Sequence, residues 1–160
     1  MTTSNILYSL YKYKAWSEDQ LINIVRTASI DEHPEELKEA LYYLAHINMV
    51  DQIFISRIKG EPELFESTVT DEEQNIDDLA QRFQSANEWF IRYLESVTRE
   101  ELDQRVQFTF TDGKPGDMSK EEILGHILSH GLLHRGGICT ILPPELLKGY
   151  MDHFTTFLKS

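Results

Sequence analysis

The spacing of apolar residues between positions 79 and 97 most restricts what this chain can fold into. Apolar side chains recur there at alternating intervals of four and three residues, at Leu79, Phe83, Ala86, Phe90, Tyr93 and Val97. This spacing draws one narrow apolar seam along an α-helix, which is typical of helices that pack in a bundle. The segment is therefore predicted to be a long helix with one buried face.

Two segments that precede this helix also show helical periodicity. The first runs from about Ser4 to Ala28, with a predicted inward seam at Ile6, Leu10, Tyr13, Leu21, Ile24 and Ala28. The second begins near Pro34, a residue that suits the first turn of a helix, after a turn over residues 29–34. It ends at Lys59-Gly60, because a basic residue followed by glycine is typical of a helix C-terminus.

The second half of the chain predicts one more long helix and a hairpin. Ser119-Lys120-Glu121-Glu122 is a capping box that opens a fourth long helix, which ends before Pro143-Pro144. Before it, residues 107–111 alternate polar and apolar side chains and lead into Asp112-Gly113, a hairpin signal. This hairpin is expected to cover one end of the bundle. A short fifth helix is predicted from Glu145 to Lys159.

The connection between the second and third helices is long and acidic. Residues 61–77 contain Pro62 and lack sustained periodicity, so they are interpreted as an ordered crossover loop rather than a domain boundary. With 8 Gly and 5 Pro, the chain has few helix breakers. The predicted fold is all-α: an up-down four-helix bundle with a long crossover, a short hairpin before the fourth long helix and a short C-terminal helix. Residues 1–160 are predicted to form a single domain.

Charge and cysteine content restrict partners and compartment. The formal net charge is −12, which repels phosphate backbones and anionic membranes, so neither nucleic acid nor a membrane is an expected partner. No apolar run approaches the roughly 20 residues of a transmembrane helix, and the N-terminus lacks a signal-peptide pattern. The single cysteine, Cys139, excludes an internal disulfide framework and is expected to be a small buried hydrophobe. A cytoplasmic location is expected.

Histidine spacing on the predicted fourth helix indicates a metal site. His130 and His134 are four residues apart and share a face with the apolar Ile123, Ile127 and Ile141. Side chains at this spacing stack on one face, so two imidazoles can reach one ion at roughly 2.1 Å each. 

A second histidine pair has the same spacing. His126 and His130 are also four residues apart, whereas His126 and His134 are separated by about 12 Å of helix axis and are not expected to share an ion. Spacing alone therefore leaves both pairs open, and His130 belongs to either one. A metal-free arrangement, with the histidines bonded to carboxylates or water, is the other alternative.

His46 is the candidate for a third ligand. It lies on the apolar stripe of the second helix, among Tyr42, Tyr43, Met49, Val50 and Ile53. A single inward histidine is more often a hydrogen-bonded core residue than a ligand, but two further inward histidines strengthen the metal interpretation. Three imidazoles leave coordination positions open, as in a catalytic rather than a closed structural zinc site.

The remaining motifs add little to the site. The sequence has no His-Glu-x-x-His, no paired Glu-x-x-His, no Cys-x-x-Cys and no glycine-rich phosphate loop. Arg135 could bind an anionic group, pair with an acidic residue such as Asp51 or Glu39, or lie solvated on the surface. Asp152 and His153 are expected to be exposed.

The chain resembles the DinB/YfiT-like superfamily of metal-binding four-helix bundles over nearly its whole length. The segments that carry the resemblance are Tyr13-Lys14-Ala15-Trp16, Leu44-Ala45-His46-Ile47 through Lys59-Gly60-Glu61, Phe110-Thr111-Asp112-Gly113-Lys114, and the segment from His126 to Gly136. The last of these, together with the histidine of the second helix, is the strongest element.

This resemblance implies a ligand set that spacing alone left open. By position, it places the metal on His46, His130 and His134, with His126 as a neighbour one turn earlier. Relatives commonly have Gln where this chain has Gly137, and Asn is frequent where it has Ser129. These departures leave the ligands intact and bear on contacts that the missing amides would make with a substrate.

The resemblance also implies a range of functions. It suggests a divalent ion, zinc or nickel first and iron or another metal as alternatives, in a metal-dependent transferase or hydrolase that acts through an activated thiol or water. A small-molecule substrate, such as a low-molecular-weight thiol, and a homodimer are the implied partners. The alternatives are a non-enzymatic metal-binding or stress-response bundle and a metal-free interaction protein. No catalytic residue beyond the ligands is predicted.

Overall fold

Four long helices form a bundle in the computed structural model of the protein, which describes residues 5–160. The long helices are α1 (Asn5–Thr27), α2 (Pro34–Lys59), α3 (Ile76–Ser96) and α5 (Lys120–Ile141). The shorter elements are α4 (Arg99–Leu102), β1 (Arg105–Thr109), β2 (Pro115–Ser119), a 3-10 turn (Pro144–Leu147) and α6 (Phe154–Lys159). The predicted all-α bundle is confirmed; the predicted helix start at Ser4 lies outside the described residues.

Local signals set the ends of these helices. The Ser119 hydroxyl accepts the backbone N–H of Glu122, whose carboxylate accepts the N–H of Ser119, so the predicted capping box opens α5. Gly60 has a φ of 70°, the left-handed conformation that glycine adopts without steric cost, and it closes α2. Asn75, whose side chain accepts two backbone N–H groups, caps α3.

Two apolar layers of the core show the relative directions of the long helices. The layer at one end contains Tyr11, Phe54, Phe90 and Ile127. The layer at the other end contains Leu21, Leu44, Phe83 and Ile138. Because the N-terminal halves of α2 and α3 both contribute to the second layer, these two helices run in the same direction. The loop over residues 60–75 therefore returns along the length of the bundle, as the predicted crossover requires.

The hairpin lies over the C-terminal end of α2. Strands β1 and β2 pair antiparallel, with Phe108 opposite Gly116, and Gly113 turns the chain with a φ of 85°. The Phe108 ring packs edge-on against Phe54 of α2 at a centroid distance of 5.8 Å. The predicted hairpin is thereby confirmed, and its tip comes to lie beside α2.

A buried polar layer separates the two apolar layers. It consists of Lys14, Ser17, Glu18, Asn48, Asp51, Asn87 and Arg135. Lys14 Nζ lies 2.7 Å from Asp51 Oδ2, 2.8 Å from Glu18 Oε1 and 2.8 Å from Asn87 Oδ1. This one ammonium group thus ties α1 to α2 and α3.

The buried face of α1 differs in part from the seam predicted for the first helix, and the polar layer lies on this face. Ile6, assigned to the inward face, is 57% exposed, whereas Leu7 is buried. The inward face of α1 continues through Lys14 and Glu18, which are polar and so were not part of an apolar pattern. 

The C-terminal segment also differs from the prediction. The single helix expected over 145–159 is divided into a 3-10 turn and α6, because Gly149 adopts a φ of 82° that a helix does not accept. Asp152, expected to be exposed, is half-buried and accepts a hydrogen bond from Arg135 Nε at 2.8 Å. Within residues 5–160, no helix combines the length and apolar character that a membrane crossing demands.

Candidate metal centre

Helices α2 and α5 bring three imidazole rings to one point. The ring centroids of His46 and His130 are 4.8 Å apart, and His134 lies 4.6 Å from each of them. One nitrogen of each ring lies within 4.8 Å of the others, so the three form a cluster that could hold a metal ion. The three ring centroids are close to an equilateral triangle.

The contacts of His46 identify which of its nitrogens faces the cluster. Its Nδ1 lies 2.6 Å from the backbone oxygen of Thr68, and a carbonyl can only accept, so Nδ1 carries the proton. Nε2 is therefore the nitrogen with a free lone pair, and it faces Nε2 of His130 at 3.0 Å. Because outer hydrogen bonds of this kind orient metal-binding imidazoles, the crossover loop takes part in the site.

The contact between His46 and His130 allows two arrangements. If Nε2 of His130 carries the proton, it donates to Nε2 of His46 at 3.0 Å. If Nδ1 carries the proton instead, two lone pairs face each other and could share a cation, since two nitrogens on a tetrahedral ion lie roughly 3.3 Å apart. The buried Nδ1 of His130 has no hydrogen-bond partner among residues 5–160 in either arrangement.

The other two α5 histidines occupy different surroundings. The His134 ring stacks on Tyr43 of α2 with an interplanar angle of 20°. The His126 ring packs against Phe54 at 5.2 Å and stays outside the three-histidine cluster. The structure therefore brings His130 and His134 to His46, although their role as metal ligands remains a prediction.

The cluster sits at the edge of the bundle rather than in its core. On α5 the fully buried positions are Ile123, Leu124, Ile127, Gly131, Arg135 and Ile138. His46, His130 and His134 are each half-buried. Each of the three residues therefore keeps some exposure to solvent.

Burial keeps His130 and His134 neutral. Burial, together with the neighbouring His134 and His46 rings, lowers the pKa of His130 to about 3. Partial burial, with His46 beside it, also lowers the pKa of His134. The neutral imidazole is the form that a metal requires, so the cluster is ready for a cation at physiological pH.

We expect acid to destabilise the metal-free protein through His130. An unfolded imidazole has a pKa of about 6.5, whereas folding lowers the pKa of His130 to about 3. Between these values the unfolded state binds more protons, so the free energy of unfolding falls as pH falls from 6.5 towards 3. Urea unfolding of the metal-free parent and of His130→Gln should show a shallower pH dependence in the variant. Equal slopes would contradict this account of His130.

Arg135 fixes α5 beside the cluster. Its guanidinium is 2% exposed and donates to Asp152, while its Nη1 lies 3.7 Å from Glu18 Oε1. Tyr13 also hydrogen-bonds to Asp152. Neither Asp51 nor Glu39 is its partner, and it is not a solvated residue. Arg135 is therefore paired with carboxylates, although its buried Nη1 has no hydrogen-bond partner among residues 5–160.

Sequence reasoning missed several residues that build the site. The Thr68 carbonyl, which orients His46, is a backbone group on a loop and leaves no signal in the sequence. Lys14 and Glu18 do leave one, since their four-residue spacing puts both on one face of α1. Cys139 is half-buried, and burial raises its thiol pKa, which fits the expected unreactive residue.

These features define the class of protein: a four-helix bundle with a long crossover and a three-histidine cluster between adjacent helices that could hold a metal ion. The model of the DinB family matches residues 1–143, and the chain belongs to that family. It is similar to Protein DinB of Bacillus subtilis (strain 168), with 24% identity over 152 residues that cover 87% of this chain and 86% of the relative. No solved structure gives a significant match.

Proposed function

We propose that this protein is a metal-dependent transferase or hydrolase in which His46, His130 and His134 hold a divalent ion. The observation that carries the proposal is the convergence of three half-buried imidazoles from two helices. An ion at this position would supply the charge that lowers the pKa of a thiol or water molecule next to it. The metal proposed first is zinc or nickel, both of which accept imidazole ligands.

Because imidazole ligands carry no charge, the bound ion is better suited to activating an anion than to a structural role. All three ligands are neutral, so the full charge of a divalent ion would remain available to a thiolate or hydroxide. Within residues 5–160, the cluster has no fourth histidine, cysteine or carboxylate. A closed structural site takes four protein ligands, whereas three ligands are typical of a catalytic zinc site.

Backbone and side-chain groups around the cluster would orient the ligands. The Thr68 carbonyl holds His46 in the tautomer that presents Nε2. Tyr43 supports the His134 ring, and Arg135 anchors the adjacent turn of α5 to Asp152. These contacts fix the three rings before an ion arrives, which reduces the ordering cost of binding.

We expect zinc- or nickel-loaded protein to accelerate thiol transfer or hydrolysis by more than about 100-fold over the metal-free form, since metal activation contributes several kcal/mol. The measurement is a rate assay with cysteine or glutathione as thiol, a chromogenic electrophile as acceptor and an activated ester as hydrolytic substrate. His46→Ala should abolish the acceleration. His33→Ala, which changes a histidine outside the cluster, is the matched control and should retain it.

The alternative function uses the same site without turnover. Protein that holds stoichiometric metal but accelerates neither reaction would be a non-enzymatic metal-binding bundle, and the enzyme proposal would be wrong. 

A further inference from the structure

A cavity of about 260 Å³ lies directly beside the three-histidine cluster. His46 and His130 form one wall, and Thr68 of the crossover loop lies next to them. Phe110 and Thr111, at the tip of the hairpin, form the opposite side. Two of the proposed ligands thus face a space that is also bordered by two loops, which is a common position for a substrate.

The walls of this cavity are largely apolar. Val50, Ile53 and Phe54 of α2 contribute carbon surface, and each of these residues is buried. Phe110 remains 39% exposed, although its neighbour Phe108 packs against it at 4.8 Å. An aromatic side chain left partly exposed at the edge of an apolar cavity loses further water contact when an apolar group enters.

Among the described residues that line the cavity, Arg57 is the one Lys or Arg, and its charge is already neutralised. Arg57 donates from Nε to Glu63 and from Nη2 to the Thr109 carbonyl at 3.1 Å. Its guanidinium also lies 4.0 Å from the centre of the Phe108 ring and 4.7 Å from that of Phe54. With these partners in place, and a net charge of −12 on the whole chain, the cavity offers little attraction to an anion.

The size of the cavity limits what it can hold. Sites for drug-sized ligands occupy about 300–1,000 Å³, so 260 Å³ suits a smaller group. An apolar cavity of roughly 150 Å³ is sufficient for benzene. The space beside His46 and His130 therefore matches one substituted ring or a short branched chain.

We propose that this cavity binds an uncharged, apolar group of the substrate, about one aromatic ring in size, next to the three-histidine cluster. The inference that this group belongs to the reacting molecule rests on the proposed function. Binding of the group itself does not, because Arg57, Phe110 and the α2 side chains shape the cavity without an ion.

The test compares two probes of equal ring size, benzyl alcohol and benzoate, by NMR titration of metal-free and zinc-treated protein. We expect benzyl alcohol to bind at least about tenfold more tightly than benzoate to the metal-free protein, with shifts in the amides of Thr111 and His126. Thr111→Trp, at an exposed position, should fill the cavity and abolish binding. Leu158→Ala, an exposed apolar position on α6, is the control and should bind as the parent does.

A charge variant tests the role of Arg57. Glu63→Gln removes the partner carboxylate and should raise the affinity for benzoate about tenfold while leaving benzyl alcohol unchanged. Tighter benzoate than benzyl alcohol binding in the parent, or no binding of either probe, would overturn the proposal. Benzyl alcohol binding by protein that takes up no zinc would support the cavity and refute the proposed metal-dependent function, so the two failures are distinguishable.

Discussion

We expect His46→Ala to lower the affinity of the protein for zinc by more than about 100-fold, so that purified protein would lose stoichiometric metal. Loss of an outer hydrogen-bonding partner alone costs about 10–100-fold in metal affinity, and loss of a ligand itself exceeds that. His46 is the only contribution of α2 to the cluster, so two histidines of a single helix would remain. The measurement is metal content by elemental analysis, followed by competition titration against a chromogenic chelator.

Variants on α5 decide which histidine pair completes the site. His134→Ala and His130→Ala should lose zinc as His46→Ala does, because all three rings converge. His126→Ala is the matched control and should keep nearly the parent affinity, since that ring packs against Phe54. Loss of zinc in His126→Ala with retention in His134→Ala would show that the other pair holds the ion. A parent protein that takes up no zinc or nickel would contradict the metal centre altogether.

Local signals were sufficient for most of the fold. Ser119 with Glu122 and the glycine at 60 define helix ends by hydrogen bonds between near neighbours, so the sequence predicts them correctly. The apolar seam from Leu79 to Val97 was predicted correctly for a similar reason, because a regular apolar face of a helix turns towards the core. On α1, Tyr13 and Leu21 of the predicted seam are buried but Ile6 is not. The seam also omitted Lys14 and Glu18, whose burial depends on partners in α2 and α3.

The candidate site could be predicted only in part. Equal spacing made His126 and His134 equivalent as partners for His130, and the choice depends on how far α5 is shifted along α2. That shift is set by packing across the bundle, which one sequence does not specify. The burial of Arg135 could not be predicted for the same reason, because its partners Asp152 and Glu18 are distant along the chain.

The polar layer connects the fold to the site. It lies between the two apolar layers, at the level of the bundle where α2 and α5 carry the clustered histidines. Lys14 joins α2 to α1, and Arg135 joins α5 to α1 and the C-terminal segment. The distance between His46 and the α5 histidines therefore depends on both helices being held to α1.

Removal of Lys14 should be the most destabilising single change in this layer. Lys14→Met keeps the length of the side chain but leaves Asp51 buried without its cation and Glu18 with only Arg135, at 3.7 Å. Breaking a buried ion pair from one side costs about 3–5 kcal/mol, so the free energy of unfolding should fall by that amount in urea titrations near neutral pH. Arg99→Met is the control, because Arg99 pairs with Asp103 and Glu121 in solvent and should change stability little.

The pH dependence of Lys14→Met separates a lost charge pair from a lost packing contact. Burial already raises the pKa of Asp51 to about 7 in the parent, although Lys14 acts to lower it. Without Lys14 the folded carboxyl group binds its proton still more tightly than the unfolded one, whose pKa is about 3.9. The folded state then binds more protons, so the variant should regain stability relative to the parent as pH falls from 8 to 5. A loss of stability that stays constant over this range would indicate that packing, and not charge, is the contribution of Lys14.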